Sequence, residues 1–171
     1  VAVEMQLDVT NPATRVTGLV GDGTWQAELT GYRAPTYVGT NASPLTGRYT
    51  LAIPGQNDFT QGPAGHGYGI LSVSRTGLLV CSARLPDGTA FSQVVPVSDD
   101  SAIPLYGWLY GGKGAISGWI TFTNKPESDL DGTISWIKRP MTTSRYYPLG
   151  FTNQTEVVGS RYAYPGTTQP V

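Results

Sequence analysis

Residues able to do covalent or acid–base chemistry are scarce in this chain of 171 residues, which holds one histidine, one cysteine and twelve carboxylates. His66 stands between Gly65 and Gly67 in a loop-like stretch. A Ser–His–Asp or Cys–His relay would need that single imidazole beside a nucleophile. Cys81 lies within a hydrophobic run and reads as a small core residue, and no Gly-x-Ser-x-Gly elbow occurs. One Cys and one His are too few for a tetrahedral zinc site, and a single Cys excludes an intrachain disulfide.

Paired carboxylates, the equipment of a glycosidase, leave no trace in sequence spacing. Several acids have local work instead. Asp22, Asp87 and Asp131 each open an Asp-Gly-Thr tripeptide, and Asp-Gly suits the central pair of a type I′ hairpin turn, where both residues take positive φ. Asp99, Asp100, Glu127 and Asp129 fall in loops. Asp129-Leu130-Asp131-Gly132 starts like a calcium loop, but the later ligands, including the terminal Glu, are missing. No cofactor is expected; a structural calcium ion held through loop carbonyls stays open.

The positive signal is aromatic. Four Trp, ten Tyr and four Phe cluster in the second half of the chain. In Pro104-Leu105-Tyr106-Gly107-Trp108-Leu109-Tyr110 the strand period separates Leu105, Gly107 and Leu109 from Tyr106, Trp108 and Tyr110. Leu is the better core residue and Tyr the better boundary residue, so the three rings are expected outside as a short ladder. Rings so placed stack on flat apolar faces such as those of pyranose sugars, their polar tips in water. They also serve neighbouring strands by cross-strand pairing alone. Trp119 alternates with Ser117 and Thr121 and joins the polar face, whereas Trp136 shares the parity of Ile134 and goes inside. Tyr146-Tyr147 precedes Pro148 in a loop, where one of the two, taken here as Tyr147, is a further ligand-binding candidate. Arg33, Arg48, Arg84 and Arg145 read as loop anchors or sheet covers.

The elements that must position these residues are strands. Val1, Val3, Met5, Leu7 and Val9 alternate with polar partners, as in a half-buried strand, until Asn11-Pro12 breaks the pattern. Val16 to Val20 returns as a second strand. Trp25, Ala27 and Leu29 form the apolar side of a third, with Trp25 as a core plug. Tyr49, Leu51 and Ile53 face inward in a fourth, and 54–67 is the most loop-like stretch. Strands follow at roughly 68–74, 78–85, 89–97, 104–110, 114–122 and 132–138, and 145–158 holds one or two more. Short strands joined by tight turns spell an antiparallel meander. To hide its edges such a sheet closes into a β-barrel or, as the alternative, splits into a two-sheet β-sandwich. Ten to twelve strands and very little helix are expected. Residues 1–171 read as a single β domain, with N-terminal strands at 1–20, the core of the module at 21–162 and a tail or linker at 163–171.

Composition limits the partners. Gly 22 and Pro 13 make up about a fifth of the chain, and charged residues are 13%, about half the usual share. The net charge of −1 and the lack of a basic run leave nothing to capture nucleic acid or an anionic membrane. No apolar run approaches the ~20 residues of a membrane helix, and no signal peptide precedes Val1. The chain reads as a module cut from a longer, extracellular protein. Asn41-Ala42-Ser43 and Asn153-Gln154-Thr155 match the N-glycosylation pattern, which matters only in a eukaryotic secretory route.

Gly67-Tyr68-Gly69, Leu85-Pro86-Asp87-Gly88-Thr89-Ala90-Phe91-Ser92, Leu109-Tyr110-Gly111-Gly112-Lys113-Gly114, Gly118-Trp119-Ile120-Thr121-Phe122 and Tyr146-Tyr147-Pro148-Leu149-Gly150-Phe151 together carry a resemblance. From about Gly21 to Tyr162 the chain resembles an uncharacterised β-rich module that recurs near the C-termini of large secreted multidomain proteins of environmental bacteria. The resemblance implies secretion, neighbouring domains in a longer chain and a non-catalytic accessory role. It carries no catalytic residues.

The expected function is therefore a non-catalytic binding module of a secreted protein, with a polysaccharide or oligosaccharide as partner. Trp108, Tyr106, Tyr110, Trp119 and Tyr147 are the candidate contacts. The alternatives are a structural or protein-interaction module, such as a spacer or cell-surface attachment domain, and a carboxylate-based glycan-active enzyme.

Overall fold

The computed structural model describes residues 1–7 and 15–163. The Asn11-Pro12 break, the end of the first strand at Val9 and the tail from Tyr164 onward lie outside them. Eleven strands follow in order: β1 (Ala2–Leu7), β2 (Arg15–Gly21), β3 (Gln26–Tyr32), β4 (Gly47–Ile53), β5 (Gly67–Val73), β6 (Leu78–Arg84), β7 (Ala90–Pro96), β8 (Ala102–Leu109), β9 (Gly114–Phe122), β10 (Leu130–Lys138) and β11 (Phe151–Arg161). Among the described residues a single 3₁₀ turn covers Tyr110–Gly112. Residues 145–158 thus supply one strand, which starts at Phe151.

β4 to β11 form an antiparallel eight-stranded meander in the ladder order β7-β6-β5-β4-β11-β10-β9-β8. The first and last strands of the meander pair with each other, Ala52 to Tyr49 against Val158 to Arg161. The sheet is thereby nearly closed into a barrel, and its open seam falls between β7 and β8. Inward positions hold Tyr49, Leu51, Ile53, Leu71, Leu79, Cys81, Leu105, Leu109, Ile116, Ile120, Ile134, Trp136 and Val157, all buried. Alternation alone generates this core, because each strand sends every second side chain inward.

The seam is closed by side chains instead of a backbone ladder. Gln93 on β7 donates from Nε2 to the carbonyl of Pro104 (2.9 Å) and accepts the amide N–H of Tyr106 at Oε1 (3.0 Å), both on β8. Beside it, Phe91 presses on Gly107: a Cβ there would lie 2.4 Å from the Phe91 ring. Tight bending elsewhere also uses missing side chains. A Cβ on Gly118 would meet the carbonyl of Thr133 at 2.2 Å, and one on Gly132 that of Trp119 at 2.1 Å, so β9 and β10 approach closely where the barrel curves.

The three Asp-Gly-Thr tripeptides turn out to be of two kinds. Gly23 (φ 92°) and Gly88 (φ 85°) take positive φ, but the preceding aspartates do not, so neither pair is a type I′ turn. Gly88 N–H donates to Leu85 C=O (2.8 Å) and Leu85 N–H to Thr89 C=O (2.9 Å). That pattern is a type I turn led by Pro86 and finished by a glycine bulge. Asp22 and Asp87 instead cap the turns, accepting the N–H groups of Thr24 and Thr89 at 2.9 Å. Asp131-Gly132-Thr133 is no turn; it lies inside β10, paired with both β9 and β11.

β1 to β3 form a separate three-stranded antiparallel sheet. It meets the barrel where Tyr32 sets its ring edge-on to Trp119, centroids 4.9 Å apart, and where Arg33 pairs with Asp99 at 2.6 Å. Its β2–β3 hairpin repeats the register of β10–β11. Val16, Gly18 and Val20 oppose Gly31, Leu29 and Ala27, just as Leu130, Gly132 and Ile134 oppose Gly159, Val157 and Thr155. Of the matching positions, Leu130, Ile134 and Val157 in the barrel are buried, whereas Val16, Val20 and Leu29 in the small sheet are only half-buried. Trp25 is consequently no core plug: it is 48% exposed beside the β2–β3 turn, where it lines a cleft with Ala2, Glu4 and Leu19.

Closure makes two tests. Gly107→Ala drives a methyl into Phe91 and should cost about 1–3 kcal/mol of unfolding free energy, measured by denaturant titration. Burial pushes the Cys81 thiol up from 9.0 to about 11. The fold therefore retains a proton that the unfolded chain releases near pH 9. This contribution is complete below that pH and is lost as pH rises through about 11. At pH 8 a thiol reagent should label Cys81 at the rate of barrel opening, and faster in Gly107→Ala; rapid labelling of the native protein would contradict the closed core.

Candidate functional site

The outward face of β8, β9 and β10 gathers three of the five candidate residues. Along β8 the side chains of Pro104, Tyr106 and Trp108 point outward, while Leu105 and Leu109 anchor the strand in the core. Cross-strand pairing places Trp108 beside Ala115 and Ile137, Tyr106 beside Ser117 and Ser135, and Pro104 beside Trp119 and Thr133. Trp108 is 70% exposed, Tyr106 50% and Trp119 37%. Tyr106 and Trp108 meet edge-on, centroids 5.9 Å apart, as do Trp119 and Tyr32.

In each pair the two rings stand nearly perpendicular, at 78° for Tyr106–Trp108 and 87° for Tyr32–Trp119. Ser117 adjoins Tyr106 on β9, and Ser135 and Thr133 follow one strand further on β10. Charges stand at the rim: Lys113 in the β8–β9 turn, Glu156 opposite Thr133, and Asp131, which is paired with Lys125. Tyr32 escapes sequence reasoning because it comes from the small sheet, and only the chain's long-range course brings it to Trp119.

Tyr110 departs from the ladder. Its φ of 55° opens a run of left-handed residues with Gly111 (64°) and Gly112 (87°), and this reversal swings the ring to the end of the barrel. There its hydroxyl donates to Asp87 Oδ2 at 2.6 Å, and the Lys138 ammonium sits 5.1 Å from the ring centroid. Burial, and then the Asp87 carboxylate, pushes the phenol well above its ordinary range. Lys138 is itself buried, and Nζ donates to Ser144 Oγ at 2.6 Å and to the Tyr146 carbonyl. Strict alternation predicts the opposite side for Tyr110, because it assumes extended backbone to the end of the motif.

Tyr147 belongs to this barrel end as well. Its hydroxyl donates to the Gly62 carbonyl at 2.9 Å, and its ring sets edge-on to Phe151. It is half-buried, while Tyr146 is exposed beneath the Arg145 guanidinium. Both line a shallow cleft with Pro63, Gly65, Asp87 and Gly88. The five candidates therefore fall in two places: Trp108, Tyr106 and Trp119 on the outer face, Tyr110 and Tyr147 at the barrel end.

Several of the acidic groups are engaged in local contacts. Hydrogen bonds from Thr24 hold Asp22 below the usual carboxylate range, those from Thr60 do the same for Asp58, and the Lys125 contact does so for Asp131. A general acid needs the reverse shift. Asp129 accepts the backbone N–H of Arg161 at 2.5 Å, and Asp99 is paired with Arg33. His66 Nδ1 accepts the Gly55 N–H at 3.3 Å in an exposed loop. Among the described residues no group of three or more His, Cys, Asp or Glu side chains is placed to hold a metal ion. No helix among them is long and apolar enough to cross a membrane. Asn153 of the second glycosylation match faces the barrel interior and is buried.

The division into two places has a measurable consequence. Tyr110→Phe removes a hydrogen bond to a carboxylate and should lower stability by about 1–3 kcal/mol. Trp108→Ala, at an exposed position, should stay within about 0.5 kcal/mol of the parent. Thermal or denaturant melts of the two variants distinguish them. Comparison with protein-family models, with curated proteins and with solved structures finds no match.

Proposed function

We propose that this protein is a non-catalytic, extracellular binding module that holds a polysaccharide or oligosaccharide on the outer face of β8–β10. The observation that carries the reading is the exposed pair Tyr106–Trp108, adjoined by Trp119–Tyr32 on one side and flanked by the hydroxyls of Ser117, Ser135 and Thr133. Sugar rings offer C–H faces to aromatic rings and hydroxyls to polar side chains, and this surface supplies both partners. Its rigidity helps as well. Strands hold the rings in place before a ligand arrives, so little side-chain ordering is lost on binding.

A second reading is favoured by a different surface. The small sheet, with Val3, Met5 and Trp25 exposed, suits contact with a neighbouring domain of a longer chain, as in a spacer or attachment module. The glycosidase reading has the least support, since the acids whose titration is shifted all move toward the ionised form.

Affinity electrophoresis or pull-down against a broad polysaccharide panel tests the proposal. Binding to at least one glycan is expected, weakened about tenfold or more by Trp108→Ala, which corresponds to roughly 1.4 kcal/mol, with an unchanged melting curve. A panel without any binding, or a Trp108→Ala protein that binds equally well, would sink it. Association with parent-chain domains and no glycan would favour the second reading.

A further inference from the structure

We infer that the ligand of this face is an extended, uncharged glycan chain that engages two stacking positions at once. The inference rests on the glycan-binding proposal and adds the length and charge of what is bound.

Length follows from strand geometry. Trp108 and Pro104 lie four residues apart on β8, and Trp119 stands opposite Pro104 on β9. At about 3.4 Å per residue and about 4.8 Å between strands, Trp108 and Trp119 are roughly 14 Å apart on one face. Each is the more exposed member of an edge-on pair, Trp108 with Tyr106 and Trp119 with Tyr32. Because the rings of a pair stand at 78° and 87° to one another, each pair offers one stacking surface, not two. Two platforms at this separation are beyond the reach of a monosaccharide or disaccharide. A chain lying along the diagonal from Trp108 over Tyr106 to Trp119 reaches both, and the small sheet, which meets the barrel at Trp119 through Tyr32, bounds the face at that end.

Charge follows from the residues that surround the platforms. Ala115, Ser117, Ser135, Thr133 and Pro104 are all uncharged. The nearest carboxylate on β10, Asp131, is already paired with Lys125 at 2.5 Å. Lys113 and Glu156 at the rim carry opposite signs. No cationic row exists to match the regular carboxylates or sulfates of an acidic polymer, and desolvating those groups against rings and hydroxyls is unfavourable. A neutral chain meets no such cost.

The test uses the whole protein and series of oligosaccharides, from disaccharide to hexasaccharide, prepared from whichever neutral and acidic polysaccharides are retained in the panel. Isothermal titration calorimetry at low and high salt gives each affinity. The expected result is at least tenfold tighter binding of a neutral hexasaccharide than of its disaccharide, with affinity unchanged by salt. Trp119→Ala should reduce the hexasaccharide to the disaccharide's affinity and leave the disaccharide on Trp108 unaffected. Trp119→Phe, which keeps the packing against Tyr32, should lose less and controls for folding. Equal affinity at every length, no effect of Trp119→Ala, or salt-sensitive binding of acidic chains alone would overturn the extended neutral ligand and leave the Trp108 site standing. Absence of binding to any glycan would overturn the site and this inference together.

Discussion

The structure depends on the closure of one seam. Seven of the eight neighbour relations around the barrel are backbone ladders, and the eighth, between β7 and β8, is made by the Gln93 amide and by Phe91 lying on Gly107. A primary amide carries one acceptor and a donor in a plane, so it stands in for a short piece of backbone ladder. The aromatic ring then fills the space that a Cβ on residue 107 would occupy. Without these two contacts β7 and β8 would be open edges, each with a row of unpaired N–H and C=O groups, and the core between them would admit water.

That closure also organises the outer face. Gln93 takes the N–H of Tyr106 itself, so the residue at the centre of the aromatic row is held through its backbone by the strand across the seam. Leu105 and Leu109 fix the same segment from inside. Tyr106 and Trp108 are exposed because their neighbours in sequence are committed to the core. Their side chains make no contribution to closure, which leaves them free for a ligand. At the barrel end the balance is reversed. Tyr110 and Tyr147 both adopt positive φ and spend their hydroxyls on Asp87 and Gly62. Such backbone costs of order 1–3 kcal/mol each are offset here by those hydrogen bonds and by packing on Phe151 and Lys138.

Much of the fold is legible in the chain. Alternation locates the strands around Tyr49, Leu51 and Ile53, around Leu105 and Leu109, and around Ile116 and Ile120, and it sends Trp136 and Cys81 inside. The outward direction of Trp108 and Trp119 can be read in the same way. Two misreadings share a cause. Trp25 has the parity of a core residue and Tyr110 that of a surface residue, but parity only says which residues share a face. Whether a second layer covers that face, and whether the strand continues to the last residue of a motif, are properties of the assembled chain. The Asp-Gly-Thr triplets teach a related lesson. The same three residues cap a loop at Asp22 and Asp87, and sit within β10 at Asp131, where Gly132 is needed for a close strand approach and not for a turn.

The sequence by itself determined an antiparallel meander, the strand positions and the two sets of faces, because a period of two is local and needs no partner to be read. It also determined how little catalytic equipment exists, since residue types that are absent cannot be supplied by folding. Tertiary structure decided which strands meet. It split β1–β3 from the barrel, set β11 against β4, brought Tyr32 to Trp119 and parted Tyr110 and Tyr147 from Trp108. Those outcomes follow from the closure of a curved sheet around one core, in which the pairing of residues more than a hundred positions apart is settled jointly by all the strands between them.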